Sequence, residues 1–340
     1  MKLSVLDQSV VPEGSSPSDA LRNSLDLAKL ADRLGYHRYW VAEHHATSSF
    51  AGPAPEIMVA RIAAETSGIR VGSGGVLLSH YSPLKVAEVF RVLHALSPGR
   101  IDLGIGRGTG AGSLEAHALS PGQAQDGGGD FPAGLAELMG FLGDGFPEGH
   151  PYARIEVMPA VPGGPEIWLL GASTGSAVMA GRLGLPYVFA HFGRPQLTRA
   201  AAEAYRENFD HGSGARPRFS VGIGVYCAQT QEEAEAVFAS QRLFRLRMSR
   251  NVLLPLPAPE TALELLRGEV EPLASERSEW PRCVVGDPGQ VRDELESMSR
   301  ALEVEEFIVL STIHSPKARM RSYELLAEAF ELAGRNHAID

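Results

Sequence analysis

The chain has 340 residues and a formal net charge of −10 at pH 7. A bare eight-stranded α/β barrel needs roughly 250 residues, so one barrel with insertions fits this length as well as two smaller domains do. The negative charge, without a cluster of lysine and arginine, argues against nucleic acid or an anionic membrane surface as the main partner. The composition favours a small or apolar ligand.

The amino-terminal sequence does not have the pattern of a signal peptide. A single lysine, Lys2, leads into a strand-like run, and Pro12 and Gly14 follow too soon for an apolar signal core. No apolar stretch approaches the 18 residues of a membrane span. The two cysteines, Cys227 and Cys283, are too few for a disulfide framework or a thiolate metal site. We therefore expect a cytoplasmic protein whose cysteines pack in the core.

Strand-like and helical runs alternate along the whole chain. Eight runs, most of them continuously apolar, predict strands at residues 3–7, 39–43, 70–77, 101–106, 166–171, 187–191, 219–228 and 306–311. Helical periodicity fills the gaps, for example at residues 19–34, 55–67, 84–96, 176–183 and 320–332. Continuous apolar strands that alternate with helices in eightfold repetition predict a TIM (β/α)8 barrel. We expect one domain over residues 1–340.

Two insertions interrupt this alternation. Residues 108–130 follow the fourth strand and are rich in glycine, which predicts a mobile lid. Residues 251–281 are rich in proline and follow the seventh strand–helix unit. Because both insertions follow the carboxyl ends of strands, each can cover the mouth of the barrel.

A pair of histidines, in Glu43-His44-His45, follows the second strand. Neighbours on a strand point to opposite faces, and the His-Glu-x-x-His pattern is absent, so we expect no metal site. A histidine that faces the barrel mouth can act as a general acid or base, and we assign this role to His44. A hydrogen-bonded structural role is the alternative for His44 and the preferred role for His45.

Glycines interrupt the third strand at Gly72-Ser73-Gly74-Gly75. Glycine in a buried strand loses packing and costs backbone entropy, so this stretch needs a specific reason. The close approach of a flat ligand, a bulge or a strained peptide would each explain it.

Two further segments predict a phosphate site. Arg107 leaves the fourth strand between two glycines, and a guanidinium can bind phosphate through two hydrogen bonds. After the fifth strand, Gly171-Ala-Ser-Thr-Gly-Ser176 opens a helix whose free N–H groups and serine hydroxyls can bind an anion. The alternatives are an ion pair of Arg107 with a neighbouring carboxylate and a helix cap formed by Ser173.

These segments resemble the bacterial luciferase-like family of flavin-dependent monooxygenases. The resemblance covers nearly the whole chain and is carried by Glu43-His44-His45, Val71-Gly-Ser-Gly-Gly-Val76, Gly104-Ile-Gly-Arg-Gly108, Ala172-Ser-Thr-Gly-Ser176, Leu183-Gly-Leu-Pro186 and Val285-Gly-Asp-Pro-Gly289. It implies a TIM barrel that uses reduced flavin mononucleotide (FMN) and molecular oxygen.

The resemblance also implies roles for individual residues. His44 supports catalysis at the flavin, and a cis peptide bond between Gly74 and Gly75 lies against the isoalloxazine ring. Arg107, Ser173 and Ser176 bind the flavin phosphate. We add the neighbours of these residues to the predicted cofactor contacts, namely Glu43, Ser73, Ala172 and Thr174. The stretch after Arg107 departs from the family, because related sequences continue there with more polar residues.

The predicted function is that of a two-component monooxygenase. A separate reductase supplies reduced FMN, and one oxygen atom of O2 is transferred to a small, apolar organic substrate. The alternatives are hydride transfer with the deazaflavin F420, a non-catalytic flavin-binding protein, and a metal-dependent barrel hydrolase that uses His44, His45, His191 and His314. The surplus of apolar residues in the helix at 55–67 predicts a homodimer, as the resemblance also implies.

Overall fold

The computed structural model describes residues 1–108, 113–120, 130–143, 145–212, 214–268 and 278–335. Nine strands occur in this part of the chain: β1 (Lys2–Asp7), β2 (Arg38–Val41), β3 (Arg70–Leu77), β4 (Ile101–Gly106), β5 (Glu166–Gly171), β6 (Tyr187–Ala190), β7 (Phe219–Cys227), β8 (Cys283–Gly286) and β9 (Glu306–Leu310).

The same ranges contain eleven helices: α1 (Pro17–Leu34), α2 (Pro55–Glu65), α3 (Pro83–Leu96), α4 (Ser113–Leu119), α5 (Phe131–Leu142), α6 (Thr174–Arg182), α7 (Thr198–Glu207), α8 (Gln231–Ser249), α9 (Pro259–Leu265), α10 (Pro288–Leu302) and α11 (Pro316–Ala329). None of these helices combines the length and hydropathy needed to cross a bilayer.

Eight of the strands form a closed parallel barrel. Strands β1 to β7 pair in chain order, and β9 closes the barrel by pairing with both β7 and β1. The register places Lys2 of β1 opposite Glu306 of β9, and Val221 of β7 opposite Phe307. The predicted TIM barrel is confirmed, and its eight strands are those that the apolar runs predicted.

A ninth strand, β8, was not predicted from the sequence. It pairs with the carboxyl-terminal half of β7, with Cys283 opposite Gly224, above the level at which β6 pairs with β7. Four residues with one cysteine and one glycine give too short an apolar run to be recognised as a strand. The strand follows the second insertion and extends the barrel wall at its mouth.

The two insertions occupy the predicted positions after β4 and before β8. Most of the predicted lid, residues 108–130, lies outside the described residues, and its described part contains α4. Residues 269–277 of the second insertion also lie outside them. The described part of this insertion contains α9 and is held at the end of β1, where Leu256 N donates to Val11 O over 2.8 Å. It therefore crosses the mouth side of the barrel.

Charged side chains close the opposite end of the barrel. Arg38 is only 2% exposed and pairs with Asp102 over 2.7 Å and with Glu306 over 2.6 Å. Burial opposes the charge of this guanidinium, but the two carboxylates outweigh burial and raise its pKa. Above this layer, Trp40 and Trp168 pack edge to face with centroids 5.4 Å apart. The barrel interior is therefore filled below the mouth.

Candidate active site

His44 lies in the loop after β2, beyond the end of the strand. The strand ends at Val41, two residues earlier than predicted, so strand alternation does not orient His44 and His45. The backbone N–H of His44 donates to Gly52 O over 3.0 Å, which folds the loop back over its own start. This fold brings Phe50 against the imidazole, with ring centroids 4.2 Å apart and the planes inclined by 22°.

The environment of His44 favours its neutral form. Burial against the loop, followed by the nearby charge of His45, lowers the pKa of His44 to about 4. The ring also has a polar contact, since Nε2 of Gln8 lies 3.2 Å from Nε2 of His44. At neutral pH the imidazole is therefore uncharged and forms hydrogen bonds as a neutral ring.

His45 belongs to a different group of side chains. Its Nε2 lies 2.7 Å from Oε1 of Glu43, which also accepts a hydrogen bond from the Tyr81 hydroxyl over 2.7 Å. The other carboxylate oxygen accepts from Leu77 N over 3.0 Å. The side chain of Glu43 is 1% exposed, and both of its oxygens are engaged by protein groups. This geometry makes Glu43 a link between the ends of β2 and β3.

The glycine stretch of β3 has both an irregular register and a cis peptide bond. The pairing of β3 with β4 shifts between Gly74 and Val76, and the Gly74–Gly75 bond is cis, as the resemblance implied. A Cβ atom on Gly74 would lie 2.6 Å from Leu6 Cδ1, and one on Gly75 would lie 2.7 Å from Gly104 O. The contact at Gly75 is with fixed backbone and excludes a side chain, whereas a Cβ on Gly74 would require Leu6 to move.

Gly74 and Gly75 differ from their neighbours in accessibility. Both are partly exposed, whereas Val71, Ser73 and Val76 are buried. The Ser73 hydroxyl donates to Gly104 O over 2.9 Å within the sheet. The two glycines therefore present bare backbone to a ligand, while Ser73 supports that backbone from behind.

Arg107 projects from the end of β4 as the sequence predicted. It is exposed, and within the described part of the chain its guanidinium makes no ion pair. Its carbonyl oxygen accepts from the Ser79 hydroxyl over 2.6 Å, which fixes the backbone from which the side chain extends. The predicted alternative, an ion pair with a neighbouring carboxylate, is not observed among the described residues.

The turn from Ala172 to Ser176 begins α6 after β5. Ser173 is the N-cap, and its hydroxyl accepts from Ser176 N over 3.2 Å. The Ser176 hydroxyl donates to Ser173 O and lies 2.8 Å from the hydroxyl of Tyr187 on β6. Thr174 and Gly175 begin the helix, so their N–H groups have no intrahelical partner. The turn thus combines a helix cap with two free donors.

These segments follow adjacent strands. β2 pairs with β3 up to Val41 and Ser73, and β4 pairs with β5 up to Ile105 and Leu169. The carboxyl ends of β2 to β5 therefore follow one another around one half of the mouth. Arg107 and the α6 terminus suit a phosphate, and the bare backbone of β3 suits a planar ring, so the residues present fit FMN.

The other histidines considered from the sequence have structural contacts. Nδ1 of His191 lies 2.7 Å from the Thr198 hydroxyl and its Nε2 lies 2.9 Å from Pro281 O, while Nε2 of His314 lies 3.1 Å from Glu13 O. Among the described residues, no three His, Cys, Asp or Glu side chains are grouped so that they could hold a metal ion.

Residues 1–305 match the model of the family described as luciferase-like monooxygenase. The chain belongs to this family. It is therefore an enzyme of the monooxygenase class, and the resemblance inferred from the motifs is confirmed.

Individual relatives agree over the whole length. The N-acetyl-S-alkylcysteine monooxygenase of Bacillus subtilis is 37% identical over 98% of this chain and 100% of its own. The crystal structure of apo-MsnO8 is 51% identical, with a TM-score of 0.91 and 98% of each chain covered.

More distant structures share the fold alone. The oxygenating constituent of 3,6-diketocamphane monooxygenase, solved in complex with FMN, has a TM-score of 0.71 at 20% identity over 97% of this chain and 97% of its own. An F420-dependent secondary alcohol dehydrogenase has a TM-score of 0.67 at 14% identity over 96% of this chain and 98% of its own.

Sequence reasoning missed three residues of the site. Gln8 and Phe50 contact His44, and Tyr187 contacts Ser176. Gln8 could have been found because it directly follows the first predicted strand. Nothing in the sequence pairs Phe50 with His44, because the contact depends on how the loop after β2 folds back.

Proposed function

We propose that this enzyme is a two-component monooxygenase that uses reduced FMN and O2 to oxygenate a small, apolar organic substrate. The proposal rests on three chemical groups that lie side by side at the ends of the adjacent strands β2, β3 and β4. A neutral imidazole follows β2, bare backbone is exposed in β3, and an exposed guanidinium follows β4. A hydrogen-bonding group, a planar surface and an anion site are what a phosphorylated flavin needs.

The phosphate of FMN is assigned to Arg107 and to the turn from Ala172 to Ser176. Arg107 supplies charge, and the N–H groups of Thr174 and Gly175 supply donors at the positive end of the α6 dipole. The hydroxyl of Ser173 contributes at the rim of the turn. Ser176 is held by Tyr187 and completes the turn from inside.

The isoalloxazine ring is assigned to the face of Gly74 and Gly75. Because both glycines are partly exposed and carry no side chain, the ring can lie directly on the backbone. Glu43 and Ser73 act from behind this surface, since both are buried and bonded to β3 or β4. They keep the flavin-facing backbone in place.

His44 is the group that orients protons beside the cofactor. The reduced cofactor supplies two electrons to O2, so that one oxygen atom enters the product and the other leaves as water. The protons that end in water must be delivered at defined positions, and the uncharged imidazole of His44 orients them by hydrogen bonding. Phe50 stacks on one face of the His44 ring and packs against Leu256 of the second insertion, so that water is excluded from this face.

Two apolar side chains above the inner barrel layer favour an apolar substrate. Leu170 and Phe192 pack on top of the inner barrel layer and remain partly exposed. The relative from Bacillus subtilis is named for N-acetyl-S-alkylcysteine, a thioether. A thioether of this kind is therefore the first probe, followed by a long-chain aldehyde and an aromatic polyketide.

We also propose a separate reductase and a homodimer. The reductase is the source of reduced FMN that the family resemblance implies. The dimer surface is formed by α2 and α3, where Ile57, Val92 and Leu96 are 66%, 47% and 75% exposed. Ala60 and Ala64 lie on the same exposed face of α2 as Ile57 and leave room for a close approach.

An oxygen-electrode assay tests the function. The enzyme is supplied with FMN, a flavin reductase and NADH, or separately with reduced F420, and each probe substrate is followed by mass spectrometry. We expect oxygenated product from at least one probe with reduced FMN only. Product formation with F420 and no oxygen uptake would instead establish the hydride-transfer alternative.

A further inference from the structure

Gln8 is the first residue beyond β1, and its side-chain amide contacts the ring of His44. Nε2 of Gln8 lies 3.2 Å from Nε2 of His44. An amide nitrogen can only donate a hydrogen bond, so the ring nitrogen that faces it must accept. The proton of the neutral ring then resides on Nδ1.

The end of β1 holds Gln8 in a fixed position. Asp7 is fully buried and accepts from Ser9 N over 3.0 Å, from the Tyr39 hydroxyl over 2.6 Å and from Arg319 over 2.9 Å. Ser9 has a φ of 48°, a left-handed conformation that the bond to Asp7 supports. The residues on both sides of Gln8 are therefore immobilised.

The loop that carries Phe50 is joined to the same segment. Ala51 N donates to Ser9 O and Val11 N donates to Ser49 O, each over 2.9 Å, so that Val10 and Phe50 form an antiparallel bridge. Gln8 contacts the edge of the His44 ring, and Phe50 stacks on its face. Both orienting contacts thus come from one hydrogen-bonded unit.

We propose that Gln8 is a positioning residue that holds His44 in the tautomer with hydrogen on Nδ1 and the acceptor lone pair on Nε2. Nδ1 makes no hydrogen bond to the described residues, so its N–H is free to donate a hydrogen bond to the bound cofactor or substrate. The tautomer assignment rests on the contact between Gln8 and His44. The role of this tautomer in turnover rests on the proposed function.

The low pKa of His44 is consistent with this role, because a tautomer matters only while the ring is neutral. If the ring were free to turn, both tautomers would be populated and a fraction of molecules would present a proton on the wrong nitrogen. The amide of Gln8 prevents this, because its hydrogen bond to Nε2 favours the tautomer with hydrogen on Nδ1.

The test is long-range 1H–15N correlation spectroscopy of the full-length, ligand-free protein at pH 7.5. The His44 signals are assigned by their loss in His44→Asn. We expect wild-type His44 to be protonated on Nδ1. In Gln8→Glu the carboxylate accepts from Nε2–H, so the proton should move to Nε2 and the pKa of His44 should rise by about one unit or more.

Gln196→Glu is the matched control, because it adds the same charge at an exposed glutamine in the loop after β6. It should leave the His44 signals unchanged. A proton on Nε2 in the wild type, or an unchanged tautomer in folded Gln8→Glu, would overturn the assignment. The wild-type spectrum decides the question even if a variant fails to fold.

Turnover distinguishes the positioning role from a structural one. With FMN saturating, Gln8→Glu should lose at least about tenfold in kcat while FMN affinity is unchanged, because the wrong tautomer faces the site. Normal turnover in Gln8→Glu with a reversed tautomer would disprove the positioning role. If the wild type oxygenates no probe, the proposed function fails, and the spectra still decide the tautomer.

Discussion

At the scale of single residues, two adjacent histidines have different surroundings and should have different functions. His44 contacts Gln8 and Phe50, whereas His45 bonds to Glu43 next to Tyr81. The first arrangement leaves one ring nitrogen free for chemistry. The second satisfies a buried carboxylate and joins two strand ends, which is a structural task.

Substitution of these histidines tests the difference. His44→Ala should retain the fold and FMN affinity but lose product formation by roughly 10²–10⁴-fold, the usual contribution of a positioned acid or base. His45→Ala removes a hydrogen bond from the buried Glu43 carboxylate and should lower the free energy of unfolding by about 1–3 kcal/mol. Turnover per folded molecule and urea unfolding separate the two effects. Normal turnover of folded, FMN-saturated His44→Ala would place that histidine in the scaffold.

Arg107 offers a direct test of the phosphate site. Charge-assisted contacts contribute roughly 1.5–3 kcal/mol, so Arg107→Ala should weaken FMN binding about tenfold to a hundredfold. Riboflavin lacks the phosphate and should bind the variant almost as well as the wild type. Fluorescence titration measures both ligands, and Arg194→Ala, another exposed arginine after a barrel strand, is the control. Equal losses for FMN and riboflavin would contradict the assignment.

At the scale of elements, the exposed faces of α2 and α3 explain why the apolar pattern of α2 exceeds one stripe. Met58, Val59 and Ile62 pack in the core, and Ile57 is left on the outer face. On α3, Val92 and Leu96 are one turn apart and likewise exposed. Apolar side chains on two adjacent helices form a surface that a second copy can cover.

Charge on this surface should disrupt the dimer. Leu96→Glu buries a carboxylate if the two copies associate, so the variant should be monomeric at micromolar concentration while the wild type is dimeric. Light scattering gives the mass, and Leu263→Glu, at an exposed leucine of α9, is the control. A monomeric wild type would contradict the proposed interface.

The sequence predicts the barrel strands well and the loops poorly. Strands such as β4 and β9 are mostly apolar and almost fully buried, so they could be recognised without a regular alternation of polar and apolar residues. The end of β2 was misplaced because Ala42 and Glu43 continue the strand pattern although their pairing has ended. Strand β8 is too short for any periodicity to appear.

The same difference between strands and loops applies to the candidate site. The positions of Gly74, Gly75 and Arg107 near the barrel mouth could be predicted because these residues lie near the ends of strand-like runs, and their roles in binding stay a prediction. The position of Gln8 at the mouth could be predicted, but its contact with His44 could not, because the two residues lie 36 positions apart in the loops after β1 and β2. The contact of Phe50 with His44 could not be predicted because it depends on how the loop after β2 folds back. Sequence spacing carries no signal for such loop pairing.

At the scale of the whole molecule, buried neutral histidines make stability depend on pH. Burial lowers the pKa of both His44 and His191 from the ordinary histidine value of 6.5 to about 4. Between these values the unfolded chain binds more protons than the folded enzyme, so the free energy of unfolding must fall as pH falls. The loss begins near pH 6.5 and is complete near pH 4.

Urea unfolding at pH 7.5 and pH 5 measures this effect. We expect a decrease on the order of 2 kcal/mol for His191 alone at pH 5, from its shift of pKa. His191→Asn should be less stable than the wild type at pH 7.5 but should lose less between the two pH values. An equal pH dependence in variant and wild type would show that His191 is not buried in its neutral form.

We propose above all that one oxygen atom of O2 enters an organic product at this barrel mouth, with reduced FMN as the electron donor. Mass spectrometry of the product formed under 18O2, with FMN, a reductase and the preferred probe substrate, tests it most directly. We expect one 18O atom per product molecule from the wild type, and loss of that product by at least about a hundredfold in His44→Ala. Product without the label, or labelled product at an undiminished rate in His44→Ala, would contradict it.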